Sequence, residues 1–334
     1  MIEVKNLVKR YGDHVAVKNL SFTVEEGQIY GFLGPNGAGK STTMNIITGY
    51  LASTEGEVLI NGHNILEEPE EAKKCIGYLP ELPPVYTDMT VLEYLKFVAE
   101  LKKIPKDQRK KQILEVMNLV KITDMQNRLI KNLSKGYRQR VGLAQAVLGF
   151  PEIIILDEPS VGLDPKQIIE IRELIRQLAK KHTVILSSHI LAEVREVCDY
   201  ILIISKGKLV ASDTPENLER NLGDSDLIEI ETKASPDEVR RILETVDGIR
   251  SISTKHLENG ITWAQVQEKK NTDIREKVFQ AFAQNHQPLL KLNPLQVSLE
   301  DVFMELTQSD RAAEEYAEKA KKKETEDMKD AGDL

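Results

Sequence analysis

Gly34-Pro35-Asn36-Gly37-Ala38-Gly39-Lys40-Ser41 is the stretch from which the rest of the chain is read. It fits G-x-x-x-x-G-K followed by serine or threonine. The apolar run Ile29 to Leu33 leads into it and a helical run from Thr42 to Thr48 follows, so the loop joins a strand to a helix. Glycines in such a loop let backbone N–H groups close around phosphate oxygens at a helix N-terminus. Lys40 is placed to reach the outer phosphates and the Ser41 hydroxyl to bind magnesium. Gly34 through Ser41, with Thr42, therefore read as a site for a nucleoside triphosphate and Mg2+.

Downstream, Ile153 to Leu156 is a β-branched run ending in Asp157 and Glu158, the arrangement of a Walker B motif. Alone, an apolar strand ending in two acids is common. Beside the phosphate loop it gains meaning, because a parallel sheet brings both strand ends to the edge where ligands bind. Asp157 would hold magnesium and Glu158 would polarise the attacking water. Further strand-like runs at Thr183 to Leu186 and Ile201 to Ile204 alternate with amphipathic segments, which predicts a parallel sheet covered by helices. The first 24 residues show period-2 apolar positions around Tyr11-Gly12-Asp13 and predict antiparallel strands. Residues 90 to 132 predict a helical insert, with Thr90 and Glu93 as a capping box and Pro105 opening a second helix.

Leu133-Ser134-Lys135-Gly136-Tyr137-Arg138-Gln139-Arg140 stands about two dozen residues before the Walker B strand. It resembles the LSGGQ-x-Q-R signature of ABC ATPases. Ser160-Val-Gly-Leu-Asp164-Pro165 resembles that family's D-loop, His189 after Ser188 its switch histidine, and Tyr11 the aromatic that stacks on adenine. Order and spacing match over residues 1 to about 215. The resemblance implies an α/β P-loop ATPase acting with a second copy of itself, each ATP held between the phosphate loop of one copy and Ser134, Lys135, Gly136 and Tyr137 of the other. It also implies His189 on the γ-phosphate, Asp164 in the D-loop, and a permease docking on residues 82 to 101. Glu81 stands where the family's glutamine meets magnesium, and Lys135 and Tyr137 replace a glycine and a glutamine. These variants are similar to the ATPase subunits of exporters of drugs, antibiotics and cell-surface components, whose permease is another polypeptide. That class implies a peripheral subunit on the cytoplasmic face of the membrane.

Length allows about two domains for 334 residues. We place the ATPase domain at 1–219 with its helical part at about 82–135. From about Leu227 the pattern becomes strand, helix, strand, strand, helix, strand, so 225–307 predicts a small α+β ferredoxin-like domain. Ser235-Pro236-Asp237-Glu238 supplies a helix start and Asn259-Gly260 a hairpin turn, while Trp263 and Phe279 are expected on inward faces. Ser298 to Leu306 predicts a short capped helix, with Val297 to Leu306 similar to the C-terminal extension of that exporter class. Residues 308–334 are poor in large apolar side chains and predict a disordered charged tail, its Lys321-Lys322-Lys323 run a solvated face.

The charge balance excludes other classes. Lysine plus arginine is 45 against 53 aspartate plus glutamate, a net −8, so no overall field draws the chain to nucleic acid. Cys75 and Cys198 are far apart, and His14, His63, His182, His256 and His286 share no metal spacing, so neither a disulfide framework nor a zinc site is expected. No 18-residue apolar run occurs, so any membrane role comes through a partner. The alternative function is a soluble regulatory ABC-type ATPase acting on a translation or repair machine. Such proteins usually carry tandem ATPase domains, a coiled coil or zinc motifs, none of which is found here.

Overall fold

The chain opens with β1 (Ile2–Tyr11) and β2 (His14–Val24), followed by β3 (Ile29–Leu33), α1 (Lys40–Ile47), β4 (Glu55–Ile60), β5 (His63–Asn64), α2 (Pro69–Lys74) and β6 (Ile76–Leu79). The computed structural model describes residues 1–222, 227–257, 260–269, 273–294 and 298–308. Asn259 of the expected turn, Val297, and the tail beyond 308 with Lys321–Lys323 lie outside the described residues. Two compact units emerge, one of residues 1–215 with 303–308 and one of 216–302.

In the larger unit an antiparallel sheet runs β2-β1-β4-β5. The two apolar phases read at Val15/Val17 and Phe22/Val24 belong to one strand. Asn19 sits at φ 53°, where the left-handed backbone slips the alternation so that Val17, Leu20 and Val24 all face inward. After β6 come α3 (Val91–Leu101), α4 (Lys106–Leu119) and α5 (Lys135–Val147), which form the helical insert. Thr90 and Glu93 make the expected reciprocal cap on α3, and Pro105 is the residue just before α4. Then β7 (Ile153–Asp157), α6 (Pro165–Ala179), β8 (Thr183–Ser188), α7 (Leu191–Val197), β9 (Tyr200–Ser205) and β10 (Lys208–Asp213) complete the alternation, and α8 (Pro215–Leu222) leads into the smaller unit. The second sheet runs β10-β9-β3-β8-β7-β6, parallel except for the edge hairpin of β9 and β10. Every residue of β3, β7 and β8 is buried, as a parallel sheet covered on both faces demands. Their C-terminal ends lie side by side.

The smaller unit is built from β11 (Leu227–Thr232), α9 (Pro236–Glu244), β12 (Ile249–His256), β13 (Thr262–Glu268), α10 (Arg275–Gln284) and β14 (Leu289–Pro294). Its sheet order, β12-β13-β11-β14 and antiparallel throughout, is ferredoxin-like. Ser235 and Glu238 cap α9 reciprocally with Pro236 at the first turn. Two expectations fail here. On β13 the inward residues are Thr262, Ala264 and Val266, so Trp263 points to the opposite face and donates from Nε1 to Glu229 Oε1 at 2.7 Å. On α10 Val278 and Phe282, four apart, take the core stripe and leave Phe279 59% exposed. In both elements the periodicity decides the face, not the size of the aromatic ring. A last helix, α11 (Leu299–Gln308), follows, with Ser298 and Asp301 bonded reciprocally at its start.

Candidate functional site

The loop leaving β3 returns as α1 without any side-chain cap. Gly39 occupies the N-cap at φ 106°, Gly37 sits at φ 79°, and no acidic side chain enters the first turn. The free N–H groups and the positive helix end are thus left for an anion. Neither Gly34 nor Gly39 has room for a Cβ, which would stand 2.3 Å from Ile204 O in one case and 2.7 Å from Ala16 O in the other. Lys40 is buried and donates from Nζ to Gly34 O at 2.6 Å and Pro35 O at 3.4 Å. Burial pulls its ammonium below the ordinary lysine range, and the carboxylates of Glu158 and then Asp157 oppose that pull. Asp157 and Glu158 therefore lie within electrostatic reach of the loop lysine.

The end of β7 is locked to the end of β8. Ser187 Oγ donates to Asp157 Oδ1 at 2.5 Å and accepts from the Glu158 N–H at 3.0 Å. Glu158 itself sits at φ 48°, an unfavourable left-handed backbone for a side-chain-bearing residue, worth about 1–2 kcal/mol, held by the surrounding bonds. Its Oε2 lies 2.8 Å from His189 Nδ1. With the carboxylate ionised, Nδ1 carries the proton and Nε2 remains available. Glu81, exposed two residues beyond β6, stands at this same edge, since Leu79 pairs with Leu156 one residue before Asp157. Tyr11 ends β1 with its ring 49% exposed and the Lys9 ammonium 5.3 Å from the ring centre.

Ser134 caps α5 by accepting from the Tyr137 N–H at 3.4 Å, and α5 has no acid in its first turn. Lys135 folds its ammonium over Gly162, and Gly136 is packed against the Gln167 side chain. Asp164 caps α6 by accepting from the Gln167 N–H at 2.9 Å. Among the described residues no hydrogen bond joins 134–137 to the phosphate loop. One chain therefore brings Lys40, Asp157, Glu158, His189 and Glu81 to one sheet edge and leaves the signature segment apart from it.

A divalent ion fits this edge. Among the described residues no group of three His, Cys, Asp or Glu could cage a metal. A single buried carboxylate, Asp157, with the exposed Ser41 hydroxyl nearby in the loop, is instead the sparse protein share expected for Mg2+, which takes its other oxygens from phosphate and water. Sequence reasoning missed Ser187, although a polar pair ending an apolar strand was its visible signal. It also missed Glu193 on α7, which accepts from Ser160 Oγ and Ser188 Oγ.

The ABC transporter family model matches residues 17–161. An uncharacterised ABC transporter ATP-binding protein of Bacillus subtilis (strain 168), YhcH, is 35% identical over 309 residues, covering 92% of this chain and 96% of the relative. The linearmycin resistance ATP-binding protein LnrL of the same organism is 31% identical over 308 residues, covering 92% and 98%. Among solved structures, the dimeric post-hydrolysis state of the ATP-binding cassette MJ0796 bound to ADP and Pi superposes with a TM-score of 0.59 at 28% identity, over 64% of this chain and 98% of that one.

Proposed function

The chain belongs to the ATP-binding proteins of ABC transporters and is a transport-coupled ATPase, and from that premise we propose that it powers export through a separate integral-membrane permease on whose cytoplasmic side it docks. The observation carrying the catalytic part is the 2.8 Å Glu158–His189 contact at the strand edge beside the Lys40 loop. Glu158 serves as the general base that polarises water, and His189 orients both that water and the γ-phosphate. Backbone N–H groups of 34 and 36–42 and the Lys40 ammonium bind phosphate oxygens, while Tyr11 stacks on the adenine. Ser41 and Asp157 hold Mg2+, with an oxygen of Glu81 as a further contact. When bound, the ion neutralises charge building on the phosphates.

The α5 N-terminus, set apart from the phosphate loop of its own chain, supports a two-copy site. Its positive dipole end, capped by the Ser134 hydroxyl, bearing no acidic side chain in its first turn and carrying Ser134 to Tyr137, completes the pocket of a second copy, and Asp164 belongs to the loop that follows Glu158 toward that interface. Likeness to a dimeric cassette supports this arrangement. Export is supported by the match to LnrL, a protein named for linearmycin resistance, over nearly the whole of both chains. Among the described residues no helix is long and apolar enough to cross a membrane. A groove of about 520 Å³ lined by Tyr50, Tyr78, Pro80, Leu82, Pro84 and Lys102 is our assignment for the permease contact. Tyr50 and Leu82 are 83% and 78% exposed there, an apolar display suited to a partner.

Two measurements test the proposal. Detergent pull-down from native membranes should recover one multi-spanning protein in near-equal amount; recovery of soluble partners alone overturns the transporter assignment. Glu158→Gln should lower turnover by about 10²–10⁴-fold and trap an ATP-dependent dimer on size exclusion, and undiminished single-turnover hydrolysis would remove the general-base role.

A further inference from the structure

Glu193 is an acid with only 7% of its surface exposed, and the bonds recorded for its side chain come from two serine hydroxyls. Ser160 Oγ donates to Oε2 from the segment two residues past Glu158. Ser188 Oγ, 3.4 Å from the same oxygen, precedes His189 and also accepts from the Ile190 N–H at 3.0 Å. All three side chains are buried. Leaving a carboxylate in such a place carries a desolvation cost that an apolar residue would avoid. The helix carrying it is itself pinned to the strand that feeds the phosphate loop. A Cβ on Gly31 of β3 would stand 2.4 Å from Val194 Cγ1 and 2.9 Å from Cys198 Sγ, so α7 lies directly on the backbone of β3.

We propose that Glu193 is a positioning residue: through Ser160 and Ser188 it fixes the two loops that carry Glu158 and His189 relative to each other and to β3. The proposal rests on the catalytic reading of Glu158 and His189. It adds the account of why that pair meets at 2.8 Å although its members sit on different loops. Each loop is held two residues or fewer from its reacting side chain, so removing the shared acceptor lets both drift, and a displacement near 1 Å in such a pair is worth about 10²-fold.

The test is steady-state ATP turnover by the full chain, alongside equilibrium binding of an ATP analogue and thermal melting. Glu193→Ala should lower kcat about 10- to 100-fold and leave analogue affinity unchanged, and Glu193→Gln, which keeps an oxygen for both hydroxyls, should recover most of the rate. Ser160→Ala and Ser188→Ala report the same effect where Glu193→Ala folds poorly. As both act through one carboxylate, their combined effect should be less than the product of the single effects. Unchanged kcat in Glu193→Ala, or independent, fully multiplicative effects of the two serines, would overturn the proposal. Glu158→Gln run in parallel separates the readings: if it keeps full turnover, the catalytic assignment fails, and if only the Glu193 series is silent, the positioning role alone fails.

Discussion

The two units bury different things. In the larger one, Lys40, Asp157, Ser160, Ser187, Ser188 and Glu193 are all sequestered around one edge of the parallel sheet, three of them charged residues. In the smaller one the buried polar residues described are Thr232 and Thr262, and Thr232 serves local structure by donating to Pro288 O at 2.8 Å. Carboxylates there stay on the solvated face, where Lys291 and the Trp263 ring N–H hold Glu229 below the usual carboxylate range. Burying charge weakens a fold unless every charge is matched; Arg140 on α5 is matched by Val120 O and Glu170, while the cluster at the sheet edge fits the site proposed for the ATPase chemistry. The smaller unit shows the ordinary case, an apolar core of Ile228, Ile230, Val239, Leu243, Ala264, Val266, Val278 and Phe282.

The strongest way to break this contrast is Lys40→Ala. It removes a buried cation held by loop carbonyls, so turnover should fall about 10²–10³-fold, as when one preorganised charge is taken from a transition state. Stability should hold or rise, since the desolvation of that ammonium is relieved. Turnover assays and melting curves on the same preparation check both halves. A large fall in melting temperature would show that Lys40 supports the fold and would remove the contrast.

The opposite pattern is expected from Phe282→Ala. Its ring is fully buried between Val278, Ile242 and the strands of the small core, so truncation should cost about 3–5 kcal/mol of that unit's stability and leave turnover unchanged. The chain has a single tryptophan, Trp263, and it lies in this unit, so its fluorescence follows the small unit through a denaturant titration. Loss of ATP turnover in step with that transition would show that the small unit supports the catalytic edge.

What the sequence made legible follows the same division. The phosphate loop and the Asp157-Glu158 strand end were readable because their chemistry demands fixed neighbours along the chain. The bonding roles of Ser187 and Glu193 were not: Ser187 shows in the sequence only as part of a polar pair ending an apolar strand, and the partners at Asp157 and Ser160 lie 30 and 33 residues away and meet them only after β7, β8 and α7 have packed. The strand and helix order of the small unit was legible from caps and periodicity, with Ser235 and Glu238 placing the start of α9. Its aromatic residues were misread because size was weighed above phase. On β13 the alternation through Ala264 and Val266 already assigned Trp263 to the other face.

Phe279 gives the smallest expected effect and the sharpest test of that lesson. It follows Val278 and precedes Phe282 by three positions, and a residue 100° round the helix from Val278 leaves the core stripe even though both rings are aromatic. With more than half its surface in water, Phe279→Ser removes little buried area, so the Trp263 transition should shift by no more than about 0.5 kcal/mol against the several expected for Phe282→Ala. The chemistry removed at the two positions is nearly the same, and the difference isolates burial as the cause. A loss above about 1 kcal/mol at Phe279 would mean that another surface covers this face of α10 in solution, and dilution would then weaken the effect if that surface belongs to a second copy.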